Sequence, residues 1–188
     1  PVCVNDRVRV EAGVITRRCE RRNRLIRPAP NARDPVFHVL AANMDCMVVV
    51  SSAADPGFSP GLVDRFLVAA SVQQIERILC VNKVDLAGPA GERPWSHYKS
   101  AGALVVETCA LEGRGTDRLM DLVRGRTAVF CGQSGAGKTS LLRRLLKDPE
   151  YGRIAAVNER TGWGRHTTSG AVLLPGPEDL HHVGMLQG

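Results

Sequence analysis

A lysine and a threonine set behind a string of glycines are the residues of this chain best suited to hold a phosphate. Gly132-Gln133-Ser134-Gly135-Ala136-Gly137-Lys138-Thr139 reads G-x-x-x-x-G-K-T, with Ser140 next. The glycines let successive backbone N–H groups turn inward around an anion, and the N-terminus of a following helix adds its positive dipole end. Lys138 can meet β- and γ-phosphates as a point charge, and the Thr139 hydroxyl can ligate Mg²⁺. The chemistry is that of a nucleoside triphosphate site.

A second constellation, Asn82-Lys83-Val84-Asp85, suits guanine. An Asp85 carboxylate accepts from both the ring N1–H and the exocyclic amine. Adenine offers an unprotonated N1 there, so an acceptor would face an acceptor. Asn82 can hold the loop and reach the purine edge, and the Lys83 stem can lie along the ring face. A third stretch, Glu107-Thr108-Cys109-Ala110, carries a weaker signal. There Cys109 and Ala110 would border the base, with the Ala110 N–H as donor to the guanine O6. An ordinary turn stays open as the alternative.

These motifs need elements to position them. Ala128–Cys131 is an apolar run leading into the glycine loop, and Leu141, Leu142, Leu145 and Leu146 mark a helix leading out. Cys46-Met47-Val48-Val49-Val50 within 44–51 and Ile78–Val81 read as strands buried on both faces, and Ala103–Val106 as another strand. Val63, Phe66, Leu67 and Ala70 recur at helical spacing over 61–73, and a further helix is predicted over 116–123. Asp55-Pro56-Gly57 is a turn. Strands alternating with helices predict an α/β fold with a mostly parallel sheet, whose ligands bind at the carboxyl ends of the strands. The motifs fall at those ends.

At 188 residues the chain holds one full domain and a small appendage. Its 44% apolar content suits a globular core rather than disorder. No apolar run approaches the length of a membrane-spanning helix. Pro1 is not an initiator methionine, which leaves the native start open. The six cysteines form no C-x-x-C pair, so packing in a reduced, cytoplasmic setting is the simplest reading. Residues 1–34 carry nine arginines against four carboxylates, a net +5 of the chain's +6. Such an arm suits a polyanion, RNA first, with a solvated charged face as the plain alternative. Arg7–Val10, Val14–Thr16 and Arg24–Arg27 read as short strands, too few to stand alone and suggestive of part of a small barrel. Residues 28–35 are linker in composition. The expected division is therefore 1–34 and 35–188.

The order of the motifs is unusual. In ordinary small GTP-binding domains the phosphate loop precedes N-K-x-D, and here it follows. A circular permutation explains this, because a site built from loops at one sheet edge survives relocation of the chain ends. Together with Ala41-Ala42-Asn43-Met44-Asp45, Ser59–Leu67 and Gly164-Arg165-His166-Thr167-Thr168, the motifs resemble the circularly permuted GTPases of the RsgA (YjeQ) family. The resemblance spans roughly 4–174. It implies a P-loop GTPase domain behind an N-terminal OB-fold, here partial at 1–34, and a C-terminal zinc domain. It implies GTP and GDP as ligands with Mg²⁺. It also implies hydrolysis stimulated by the 30S subunit, contact with 16S rRNA, and a monomeric role in late small-subunit maturation.

By the same resemblance the Gly- and Thr-rich stretch 160–170 is a switch loop. Thr167 or Thr168, with Thr168 preferred, would ligate Mg²⁺ and sense the γ-phosphate, and His166 would orient the attacking water. Arg165 is a candidate finger, and Trp163 a candidate stacking residue. Two departures stand out. The family's D-x-P-G motif, expected at the end of the strand following the switch loop, is not found in 175–182. The zinc domain has no counterpart, and His181-His182 lacks cysteine neighbours. A GTP-gated RNA-binding module with impaired hydrolysis is thus the alternative to an active GTPase, while N-K-x-D argues against an ATP-dependent enzyme.

Overall fold

A computed structural model describes residues 1–28, 37–88, 93–149, 171–175 and 182–186. The arm opens with strands β1 (Val8–Glu11) and β2 (Val14–Arg18), an antiparallel hairpin. Arg17 and Arg18 therefore lie in β2 itself, at the head of the arginine-rich stretch. Strand β3 (Arg24–Pro28) pairs antiparallel with β4 (Phe37–Ala42), reaching across the stretch expected to be linker. Residues 29–36 of that stretch lie outside the described residues. The β4 strand has no clean alternation in its sequence and is fully buried only at its carboxyl end, Ala41 and Ala42.

The main sheet is built from β5 (Cys46–Ser52), β6 (Glu76–Asn82), β7 (Leu104–Glu107), β8 (Thr127–Gly132), β9 (Ala171–Pro175) and β10 (His182–Leu186). Their spatial order is β7-β6-β5-β8-β10-β9. All neighbours run parallel except β9, which is antiparallel to β10. Three strands encoded before β8 thus lie on one side of it, and the two encoded after it lie on the other.

The continuous apolar runs are explained by two cores, one on each face. Val48, Val50, Ile78, Cys80 and Phe130 pack with Leu119 of helix α2 (Thr116–Val123) and with Leu141, Leu142 and Leu145 of α3 (Lys138–Leu145). Met47, Val49, Leu79, Val81, Val129 and Cys131 pack with Val63, Leu67 and Ala70 of α1 (Pro60–Val72) and with Trp95 and Tyr98. Successive strand residues alternate between these cores, as the pleat requires. Phe66, counted on the apolar stripe of α1, is only partly buried. All six cysteines are free; Cys46, Cys80, Cys109 and Cys131 are buried and Cys19 is exposed. Burial pushes the Cys46 and Cys80 thiols up to about 12, which makes them inert packing groups.

The strand after the switch stretch was expected to end at the acidic motif. That strand, β9, runs antiparallel to β8 through β10, so its carboxyl end points away from the phosphate loop. The strand that points toward the loop is β10, with Met185 beside Phe130. His182 is the first residue of β10, and His181 lies outside the described residues.

Candidate nucleotide-binding site

Because β5, β6, β7 and β8 are parallel, Ser52, Asn82, Glu107 and Gly132 all emerge at one sheet edge. The phosphate loop leaves β8 there. Gly132, Gly135 and Gly137 have φ of 130°, 75° and 88°, in the region that favours glycine. Two of them also lack room for a side chain. A Cβ on Gly132 would lie 2.0 Å from the Val50 carbonyl, and one on Gly137 would lie 2.3 Å from Asn82 Nδ2. Gln133 N–H donates back to the Val50 carbonyl at 3.2 Å, fastening the loop to the neighbouring strand.

Lys138 opens α3, and its ammonium folds over the loop, donating to the carbonyls of Gly132 (2.9 Å) and Gln133 (2.8 Å). Burial holds its pKa below the ordinary lysine value. The cation therefore sits above the loop on two neutral acceptors. Ala136 is buried under the loop, while Ser134 and Gly135 lie nearer its surface. Thr139 and Ser140, both half-buried, follow in the first turn of α3.

The guanine-type motif lies beside this loop and is joined to it by Asn82. The Asn82 side chain is 2% exposed. Its Nδ2 donates to the Ala136 carbonyl at 2.9 Å, and its Oδ1 accepts from Ala110 N–H at 3.0 Å and from Thr108 Oγ1 at 3.1 Å. One side chain thus ties the phosphate loop to the 108–115 loop. Holding the loop was expected of Asn82; linking three segments was not. The Ala110 N–H, expected to face the base, is instead taken by Asn82, because the buried amide oxygen requires donors.

Lys83 has φ of 59°, and its Nζ donates to the Asp55 carbonyl, which draws the β5–α1 turn toward the motif. Pro56 of that turn packs beside Gly135. Asp85 is exposed at the mouth of the site. A hydrogen bond from the Cys109 thiol, the largest of several influences, keeps its carboxyl below the usual aspartate value. The carboxylate is consequently ionised at neutral pH and can accept two donors.

Sequence reasoning missed the second tether between the loops. Arg144 of α3 donates from Nη1 to the Leu111 carbonyl and from Nη2 to the Glu112 carbonyl, each at 3.3 Å. Gly113 has φ of 84°, and a Cβ there would collide with the guanidinium. No motif announces this arginine; only its position in the helix after the phosphate loop could have drawn attention. The switch residues Arg165, His166, Thr167 and Thr168, with Trp163, lie outside the described residues. Among the described residues no group of three His, Cys, Asp or Glu could hold a metal ion, and no helix is long and apolar enough to cross a membrane.

The residues present fit a Mg²⁺–nucleotide. The donor set combines a glycine cradle at positive φ, a half-buried lysine whose hydrogen bonds go to two carbonyls, a hydroxyl in the first helical turn and an ionised aspartate at the mouth. A phosphate loop on the central strand, with a purine-type motif beside it that comes earlier in the chain, defines the circularly permuted GTPase fold of the P-loop class. Residues 18–181 match the RsgA GTPase family model. The chain belongs to that family.

A protein of Marinobacter nauticus described as small ribosomal subunit biogenesis GTPase RsgA is 42% identical over 179 residues, covering 90% of this chain and 49% of its own. A like-named protein of a Geobacillus species is 36% identical over 180 residues, covering 91% and 57%. The crystal structure of YjeQ from Thermotoga maritima superposes with a TM-score of 0.71 at 26% identity, covering 98% of this chain and 60% of its own. The chain spans about half the length of the curated relatives it matches.

Proposed function

We propose that this chain binds GTP and hydrolyses it as part of a factor that acts on the small ribosomal subunit during late maturation, in the cytoplasm. The observation that supports this best is the Asn82 link, which sets the Asp85 loop beside the loop carrying Lys138. A single nucleotide can then meet both.

On this reading Asp85 accepts from the guanine N1–H and amine, and the Lys83 stem covers a ring face. The phosphates lie in the 132–139 cradle. Lys138 exchanges its two carbonyl partners for phosphate oxygens, a small movement that replaces neutral acceptors with charged ones. Thr139, with Thr168 from the switch loop, would hold the metal. Mg²⁺, when bound, supplies charge neutralisation on the phosphates. His166 is the proposed group that orients water for in-line attack. Positioning of water and phosphate carries most of the acceleration in such sites.

The relatives' names connect them to the small ribosomal subunit, and the arm of this chain suits 16S rRNA. A cleft of about 490 Å³ is lined by residues 17–24 and Gln73. An adjoining cleft of about 390 Å³ is lined by Arg22, Asn23, Met44, Asp45, Gln73, Gln74, Gly125 and Arg126. Both lie at the amino edge of the sheet, opposite the nucleotide site, so RNA and GTP need not compete. GTP turnover measured with and without 30S subunits tests the proposal. A rise of at least tenfold with the subunit is expected; an unchanged rate contradicts it. The missing D-x-P-G permits a second reading, a GTP-gated binding module with impaired hydrolysis, and single-turnover hydrolysis separates the two.

A further inference from the structure

We propose that Arg144 is a positioning residue that fixes the distance between the base-reading loop and the phosphate loop, so that it governs affinity for whole guanine nucleotides but not for phosphate alone. The proposal rests on the guanine-nucleotide reading of the site and deepens it.

The 108–115 loop has a full account of its inner hydrogen bonds. Thr108 N–H donates to Val81, Cys109 N–H to Arg114, Ala110 N–H to Asn82 and Gly113 N–H to the Cys109 carbonyl. Among the described residues, the outward carbonyls of Leu111 and Glu112 find their side-chain donor in Arg144 alone. The arginine reaches them from α3, whose first residues are Lys138 and Thr139. The guanidinium fork spans two successive carbonyls, a task for which a planar double donor is suited and a lysine is not. Gly113 provides the space, since any side chain there would meet the guanidinium. The helix that follows the phosphates therefore grips the loop that borders the base.

A second tether has a definite consequence for a ligand that touches both loops. Asn82 holds the inner side of the base loop, and Arg144 holds its outer side. Fixing both sides removes loop freedom that nucleotide binding would otherwise have to freeze, which is preorganisation. A ligand that touches only the phosphate loop gains nothing from it. A role limited to helix stability would weaken every ligand of the phosphate loop alike.

The test compares GDP with inorganic pyrophosphate on the 188-residue chain, by calorimetric titration of the wild type, Arg144→Ala and Arg144→Lys. Arg144→Ala is expected to weaken GDP about fivefold, as the loss of two solvent-exposed charge-assisted bonds implies, with pyrophosphate affinity unchanged. Arg144→Lys, able to serve one carbonyl, should recover part of the loss. Equal weakening of both ligands, or unchanged GDP affinity in Arg144→Ala, overturns the proposal. Failure of the wild type to bind GDP while it binds pyrophosphate overturns the guanine reading itself, and this inference with it.

Discussion

The amide of Asn82 donates to the carbonyl of Ala136 at 2.9 Å, across 54 residues of sequence. Asn82 ends β6 and Ala136 lies within the glycine loop after β8, with β5 between the two strands. The same side chain takes the Ala110 N–H. Removing it leaves a buried carbonyl and a buried N–H unpaired. Asn82→Ala should lower stability by about 2 kcal/mol and weaken GDP at least tenfold. Denaturant unfolding and GDP titration measure the two effects.

Gly137 presses on that same amide. Its φ of 88° and the Asn82 amide, into which an added Cβ would collide, leave a side chain no room. Gly137→Ala should cost about 1–3 kcal/mol in backbone strain and break the Asn82 link, abolishing nucleotide retention. Gly61→Ala is the control. Gly61 lies in α1 with nothing within 4 Å of an added Cβ, and alanine is the better helix former. Melting temperature should fall for the first variant and hold or rise for the second.

The arm's arginines divide by their partners. Arg21 is bound to Asp6 and Arg22 to Asp45, whereas Arg17, Arg18 and Arg24 form no ion pair among the described residues. Charge reversal of Arg17 and Arg18 should therefore weaken RNA binding and flatten its salt dependence without harming the fold. Reversal of Arg21 or Arg22 would disturb structure as well. Filter binding across a salt series, read beside thermal melts, distinguishes the two classes.

The Asp6–Arg21 pair also sets a pH response. Arg21 Nε and Nη2 each approach Asp6 at 2.7 Å, and the Asp6 side chain is fully buried. The Arg21 guanidinium, above all, holds the Asp6 carboxyl well below its usual value of about 3.9. A depressed folded-state value means stability present above the unfolded value and lost as pH falls through the folded one. The wild type should exceed Asp6→Asn by about 3 kcal/mol near neutrality, as for a buried pair missing one partner. The gap should stay level down to about pH 5 and shrink below pH 4.

Much of this was legible in the chain. The cores of strands β5, β6 and β8 declare themselves through the unbroken apolar runs Cys46–Val50, Ile78–Val81 and Ala128–Cys131, because both faces are covered. Helix 116–123 follows from its periodicity, and the two nucleotide motifs from residue type and spacing. The β3–β4 pairing was not legible, since its two strands are separated by a proline-bearing stretch that reads as a boundary. Nor was β10, where His182 and Gly184 interrupt the apolar pattern and the strand is held by its pairing to β8 and β9. The tether roles of Asn82 and Arg144 depend on contacts between segments far apart in sequence, which spacing alone does not encode.

The most direct measurement of the central claim is nucleotide competition on Asp85→Asn. If one pocket reads guanine with Asp85 and grips phosphate with Lys138, this variant loses GDP affinity and gains xanthosine diphosphate, because the new amide donates to the xanthine O2. Adding Lys138→Ala should then abolish binding of both. GDP affinity unchanged by Asp85→Asn, or retained in Lys138→Ala, would contradict a single shared site.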